Sequence, residues 1–131
     1  MILGQILNYA LTLEHLEDTF YRQGLAMFSA ADFQKAGFKP IVRKNIEIIA
    51  ADEASHVKFL TTALSAAGAK PVDECTYAFG VTDVKSFVAT ASVLEGKTNS
   101  SYLSPYPFDA NIYFTIQVLA SAHTSALRRT L

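Results

Sequence analysis

Apolar residues recur along this chain at helical spacing, in four blocks separated by breaks rich in glycine, proline and serine. The first block, from Ile2 to about Phe28, places Leu3, Ile6, Ala10, Leu13, Phe20, Tyr21 and Gly24 on one stripe. Glu14 and Glu17 fall on that same stripe. Ser29 to Lys39 is a break with a short helical turn. Ser29 and Asp32 have the spacing of a capping box, and Gly37 that of a C-terminal cap.

Pro40 sits where a first-turn proline is tolerated and opens the second block, which runs to about Ala67. Its stripe is Ile46, Ile49, Glu53, His56, Val57, Leu60 and Leu64, and Gly68 and Pro71 end it. Ala69 to Val81 has no clear period and reads as an ordered connection, long enough when extended to run back along much of a bundle. Thr82 and Asp83 offer the start of a third helix, to about Leu103, with Val84, Phe87, Val88, Ala91, Leu94 and Glu95 on one face. After the break Ser104–Phe108, Asp109 is the expected N-cap of a fourth helix, Ala110 to about Arg129. Its stripe holds Ile112, Ile116, Leu119, Ala120, His123 and Leu127. No stretch alternates with the period of a strand. The pattern predicts an all-α four-helix bundle in one domain, residues 1–131, with a long connection between helices two and three.

Each apolar stripe carries titratable residues near mid-helix: Glu14 and Glu17, then Glu53 and His56, then Glu95, then His123. Glu53 and His56 are three apart, so a helix turns both to one side. A buried carboxylate needs a partner, and no stripe supplies a lysine or arginine. Helices packed side by side would bring these groups to one level, the arrangement that builds a carboxylate and histidine site for iron or manganese. The plainer alternative is a set of glutamates reaching water, or protonated, with histidines hydrogen-bonded in the core. His15 falls off the stripe, at a rim or surface. Lys58, Arg43 and Arg128 are expected on solvated faces, and Asp52 points about 100° away from Glu53. The tyrosines Tyr21, Tyr102, Tyr106 and Tyr113 read as packing residues with a polar tip.

Composition narrows the function classes. Half of the 131 residues are hydrophobic, 18% are charged, and the formal net charge is -1. That balance gives no support to nucleic-acid binding or membrane-surface attraction. No apolar run reaches the roughly 18 residues of a transmembrane helix. Met1 to Gln5 lacks the basic start of a signal peptide, and the chain begins inside a helical pattern, as a fragment of a longer protein would. Cys75 is the single cysteine, with no histidine near it in sequence, so no nucleophile dyad and no internal disulfide is expected. No glycine-rich phosphate loop is present.

Three strings, ILNYALTLEHLEDTFYRQGL, ADEASHVKFLTTALSAAGAKPV and CTYAFGVTDVKSFVATASVLEG, resemble the ferritin-like superfamily. More narrowly, they look like the fungal stress-response and bacterial desiccation-related proteins that carry a ferritin-like domain. The resemblance spans residues from about 2 to 96; beyond Gly96 only SYL and HTSALRRTL are familiar. In dinuclear metal members of the superfamily, helices one and three each give a Glu, and helices two and four each give Glu-x-x-His. Carried onto this chain, the resemblance implies Glu14, the pair Glu53 and His56, Glu95, and then Ala120 and His123. Ala120 departs from the pattern, because alanine offers no ligand atom; Glu17, one turn along helix one, is the nearest substitute. The segment between helices three and four is also short for the family.

Two functional expectations follow. One is a stress- or desiccation-associated domain holding iron or manganese through Glu14, Glu53, His56, Glu95 and His123, in an incomplete site. The other is a non-enzymatic structural or surface interaction protein whose site has decayed and holds no metal. The resemblance implies a secreted or cell-surface location. The apolar content allows a homo-oligomer.

Overall fold

A computed structural model of the chain describes residues 2–101, with side chains for residues 3–95. Its elements are α1 (Ile2–Met27), α2 (Ala30–Lys35), α3 (Pro40–Ala66) and α4 (Val84–Ser101), and among the described residues there is no strand. The all-α fold class is therefore as expected. The fourth long helix predicted over 110–129 lies outside the described residues, with Ala120 and His123 on it.

The breaks form for the local reasons that the sequence advertises. Ser29 caps α2: its side chain accepts from the Asp32 amide at 3.2 Å, and Asp32 Oδ2 accepts from the Ser29 amide at 2.8 Å. Such a cap contributes about 1 kcal/mol. Gly37 adopts φ 91° just past α2, and Gly68 adopts φ 72° just past α3, a conformation that a side chain resists. There the Ala69 amide donates back to the Leu64 carbonyl at 3.0 Å, closing the end of α3. At the start of α4 the Ser86 amide donates to Asp83 Oδ1 at 2.7 Å, while Asp83 N–H donates to Ser86 Oγ at 3.2 Å.

The chain divides into two compact units. The first comprises Met1–Met27 and Glu47–Gly80, that is, α1, most of α3 and the connection after it. Its buried apolar residues are Ala10, Leu11, Phe20, Tyr21, Ile49, Leu60 and Leu64. The α3 stripe is buried as the spacing predicts. On α1 the predicted Ala10, Glu14, Glu17, Phe20, Tyr21 and Gly24 are buried, Leu3 is exposed, and Leu11 and Thr19, absent from the predicted face, are buried as well.

The connection explains Thr19. It runs alongside α1 in the same direction, tied at successive turns. Asn8 Nδ2 donates to the Lys70 carbonyl, and Asn8 Oδ1 accepts from the Val72 amide, each at 2.9 Å. A ring nitrogen of His15 lies 3.1 Å from the Val72 carbonyl, so His15 is a half-buried rim residue with a backbone partner. Glu74 accepts from the Thr19 hydroxyl at 2.9 Å and from Arg22 at 2.8 Å. The Phe79 ring packs edge-on against Phe20. A second face of α1 is thus covered by backbone that has no period of its own.

The second unit comprises Phe28–Ile46 and Val81–Leu131. Phe28, Phe33, Val42, Ile46, Val84, Phe87, Val88 and Ala91 are buried in it, with Phe87 against both Phe28 and Phe33. Arg43 is not on a fully solvated face: it is half-buried, its guanidinium 6.0 Å from the centre of the Phe33 ring. A planar cation over an aromatic face keeps its hydration at one edge, which is why the charge is tolerated there.

Candidate metal centre

In the first unit, α1 presents Glu14 and α3 presents Glu53 and His56 to a common point. The three-residue step from Glu53 to His56 is nearly one helical turn, so both side chains leave α3 on the same side. His56 Nδ1 lies 3.1 Å from Glu53 Oε2 and 3.2 Å from Glu14 Oε2. One ligand atom from each of the three lies within 4.8 Å of the others. All are buried, with residual exposures of 5% for Glu14, 1% for Glu53 and 8% for His56.

Electrostatics there favour retained protons. Burial pushes the Glu14 carboxyl up to about 8; neighbouring Glu53 adds to the rise and His56 opposes it. Burial pulls His56 down, but hydrogen bonds to Glu14 and Glu53 outweigh it and hold the imidazolium up to about 10. These groups titrate together, and the cluster keeps protons at neutral pH that a free glutamate and a free histidine would have lost.

The donor set fits a divalent metal. Two carboxylate oxygens and one imidazole nitrogen form a harder set than thiolates, suited to iron or manganese. A cation at this point would take over the charge compensation that the protons now supply. Nδ1 is the nitrogen that faces both carboxylates, so it is the one that would ligate.

The other predicted ligands stand as follows. Glu95 is buried on α4, in the second unit, and Glu17 is buried one turn after Glu14 on α1. His123 lies outside the described residues, as does Ala120. Asp52 and Lys58 are exposed, in keeping with their positions off the α3 stripe. Cys75 is an exposed free thiol on the connection. Among the described residues no helix is long and apolar enough to cross a membrane.

The family model for the ferritin-like domain matches residues 4–131 of this chain. Protein rds1 of Schizosaccharomyces pombe is similar to it, with 32% identity over 90 residues. That alignment covers 69% of this chain and 22% of the relative, so the match spans about a fifth of the relative's length.

Proposed function

Since the chain belongs to the ferritin-like domain family, we propose that it is a metal-binding ferritin-like domain whose buried centre takes iron or manganese. Glu14 and Glu53 would be the carboxylate ligands and His56 the nitrogen ligand; Glu95 and His123 are further candidates that the family pattern alone supplies. The observation that carries this reading is the convergence of Glu14, Glu53 and His56, three ligand atoms within 4.8 Å of one another in a buried place. When bound, iron supplies one-electron chemistry toward oxygen or peroxide.

The chain's own residues do the rest. Glu53 and His56 are fixed relative to each other by one helix, while Glu14 comes from another. Glu14 and His56 give up protons on loading, and burial keeps bulk water from competing for the ion. This sequence has Ala120 where the family pattern has a carboxylate, which favours one tightly held ion over two.

The domain's setting is part of the same proposal: a stress-associated protein of the cell surface or secreted space, able to self-associate. The relative's greater length makes any further activity of a longer protein a separate matter.

The contacts at 3.1 and 3.2 Å also favour a second reading, in which proton-mediated pairing of His56 with the two carboxylates is the final state and the domain is structural. Elemental mass spectrometry of the purified protein, before and after anaerobic ferrous iron, separates the two. About one or two retained ions per chain supports the metal centre. No retained metal, with a melting temperature unmoved by iron, manganese or zinc, supports the structural reading.

A further inference from the structure

Within the first unit α1 and α3 run antiparallel. The start of α1 lies beside the end of α3, where a Cβ on Gly4 would stand 3.3 Å from that of Ala69, and farther along α1 Glu14 meets His56. Moving on from Glu14 along α1 therefore means moving back from His56 along α3. Three residues on is Glu17, and three residues back is Glu53. Each step covers about 4.5 Å of helix axis and stops roughly 60° short of a full turn. In an antiparallel pair the two steps carry their side chains to the same flank. Glu17 and Glu53 thus share a level of the helix pair, as Glu14 and His56 do. The result is two facing pairs, Glu14-x-x-Glu17 and Glu53-x-x-His56, all four residues buried and Glu17 only 3% exposed.

The family pattern assigns a part to every one of these except Glu17. Two carboxylates and one imidazole also make a short set for manganese, which favours octahedral surroundings of hard donors. A third carboxylate beside the centre adds an attraction for a cation that a neutral donor lacks. Glu17 already takes part in a polar interaction, and a carboxylate has two oxygens with about four acceptor sites, so one contact does not exhaust it. It is not one of the three residues whose ligand atoms lie within 4.8 Å, so ligation takes a rotation of its side chain. Staggered torsions along a glutamate give it alternative wells for that movement.

We infer that Glu17 is a third carboxylate ligand of the centre, so that α1 and α3 by themselves hold the ion through Glu14, Glu17, Glu53 and His56. The inference rests on the proposed metal centre and narrows it. Glu17 takes the part of the carboxylate that the sequence lacks at Ala120, and the ion needs neither Glu95 nor His123. Metal binding is then a property of one compact unit and two helices.

Calorimetric titration of the full chain with manganous ion tests this, on variants whose circular dichroism matches the parent. Glu17→Gln should weaken binding by about tenfold or more, the size of loss seen when a supporting group leaves a metal site. Glu17→Asp, which keeps the charge on a shorter arm, should fall between that variant and the parent. Glu95→Gln combined with His123→Ala should leave the affinity nearly unchanged. Saturating cobaltous ion gives a second readout. Losing a ligand alters the intensity of the visible absorption bands, whereas a loosened fold only raises the concentration needed to reach them. Unweakened binding in Glu17→Gln, unaltered cobalt bands there, or loss of binding in the combined variant each overturns the inference and leaves the metal centre standing. A parent chain that takes up neither ion overturns both.

Discussion

His56 turns its Nδ1 to Glu14 Oε2 at 3.2 Å, across 42 positions of sequence and between two different helices. This contact joins α1 to α3 at their buried carboxylates, and it sets the response of the metal-free protein to pH. Both groups have folded-state pKa values above their ordinary ones, Glu14 at about 8 against 4.5 and His56 at about 10 against 6.5. Groups raised on folding stabilise below their unfolded pKa and lose that contribution as pH rises through the folded one. Glu14 therefore acts from 4.5 to about 8, and His56 from 6.5 to about 10. The melting temperature of chelator-treated protein should fall steadily as pH rises across these windows. The slope expected is about 1.4 kcal/mol per pH unit for each extra proton held. A melting temperature that rises over this range would contradict the assignment.

Metal loading should run the opposite way. A cation at Glu14, Glu53 and His56 would displace the protons that these groups otherwise hold. Affinity for ferrous or manganous ion should therefore increase with pH, by about tenfold per unit for each proton released. Calorimetric titrations in two buffers of different ionisation enthalpy would count those protons. Binding that releases none would place the ion elsewhere.

Glu53→Gln removes one carboxylate from the cluster while keeping its size. Without metal the variant should melt below the parent temperature, because the buried His56 imidazolium loses a hydrogen-bonded counter-charge. With iron or manganese at about 100 times the dissociation constant, the parent should gain about 2.7 kcal/mol and the variant little. Equal metal-dependent stabilisation in both would remove Glu53 from the ligand set.

Asn8→Ala tests how the connection is held. Both polar atoms of the Asn8 amide are used, one on the Lys70 carbonyl and one on the Val72 amide. Losing them should cost about 1 kcal/mol per bond at most, since both groups can turn to water. The sharper readout is amide exchange, which should quicken over residues 70–74 while α3 stays protected.

Much of this arrangement is legible in the sequence where a helix buries a single stripe. The spacing Ile46, Ile49, Glu53, His56, Leu60 and Leu64 gives both the helix and its buried side, and the caps at Ser29, Gly37 and Gly68 give its neighbours' limits. Periodicity is silent where irregular backbone covers a helix. Thr19 is buried beside Glu74 on a face that no apolar pattern marks, and Leu3 is exposed although it keeps the period. Glu14 could be placed on the right face of α1 from spacing alone. Its meeting with Glu53 and His56 follows from their common mid-helix position once the helices pack side by side, but which atoms touch does not, because packing and the connection set the relative height of two helices.

The ties between α1 and the connection also fix an order of events during synthesis. Asn8 finds its acceptor 62 positions later, His15 57 positions later, and Thr19 55 positions later. A helix this short of neighbours has little stability alone. On the ribosome α1 therefore emerges before α3 and the connection that it pairs with. Closing so long a loop comes late and slowly. The segment carrying Glu14 is made before its partners Glu53 and His56 and fastened only once they have emerged, so a chaperone that shields the apolar face of α1 should speed the maturation of this domain more than one acting on later segments.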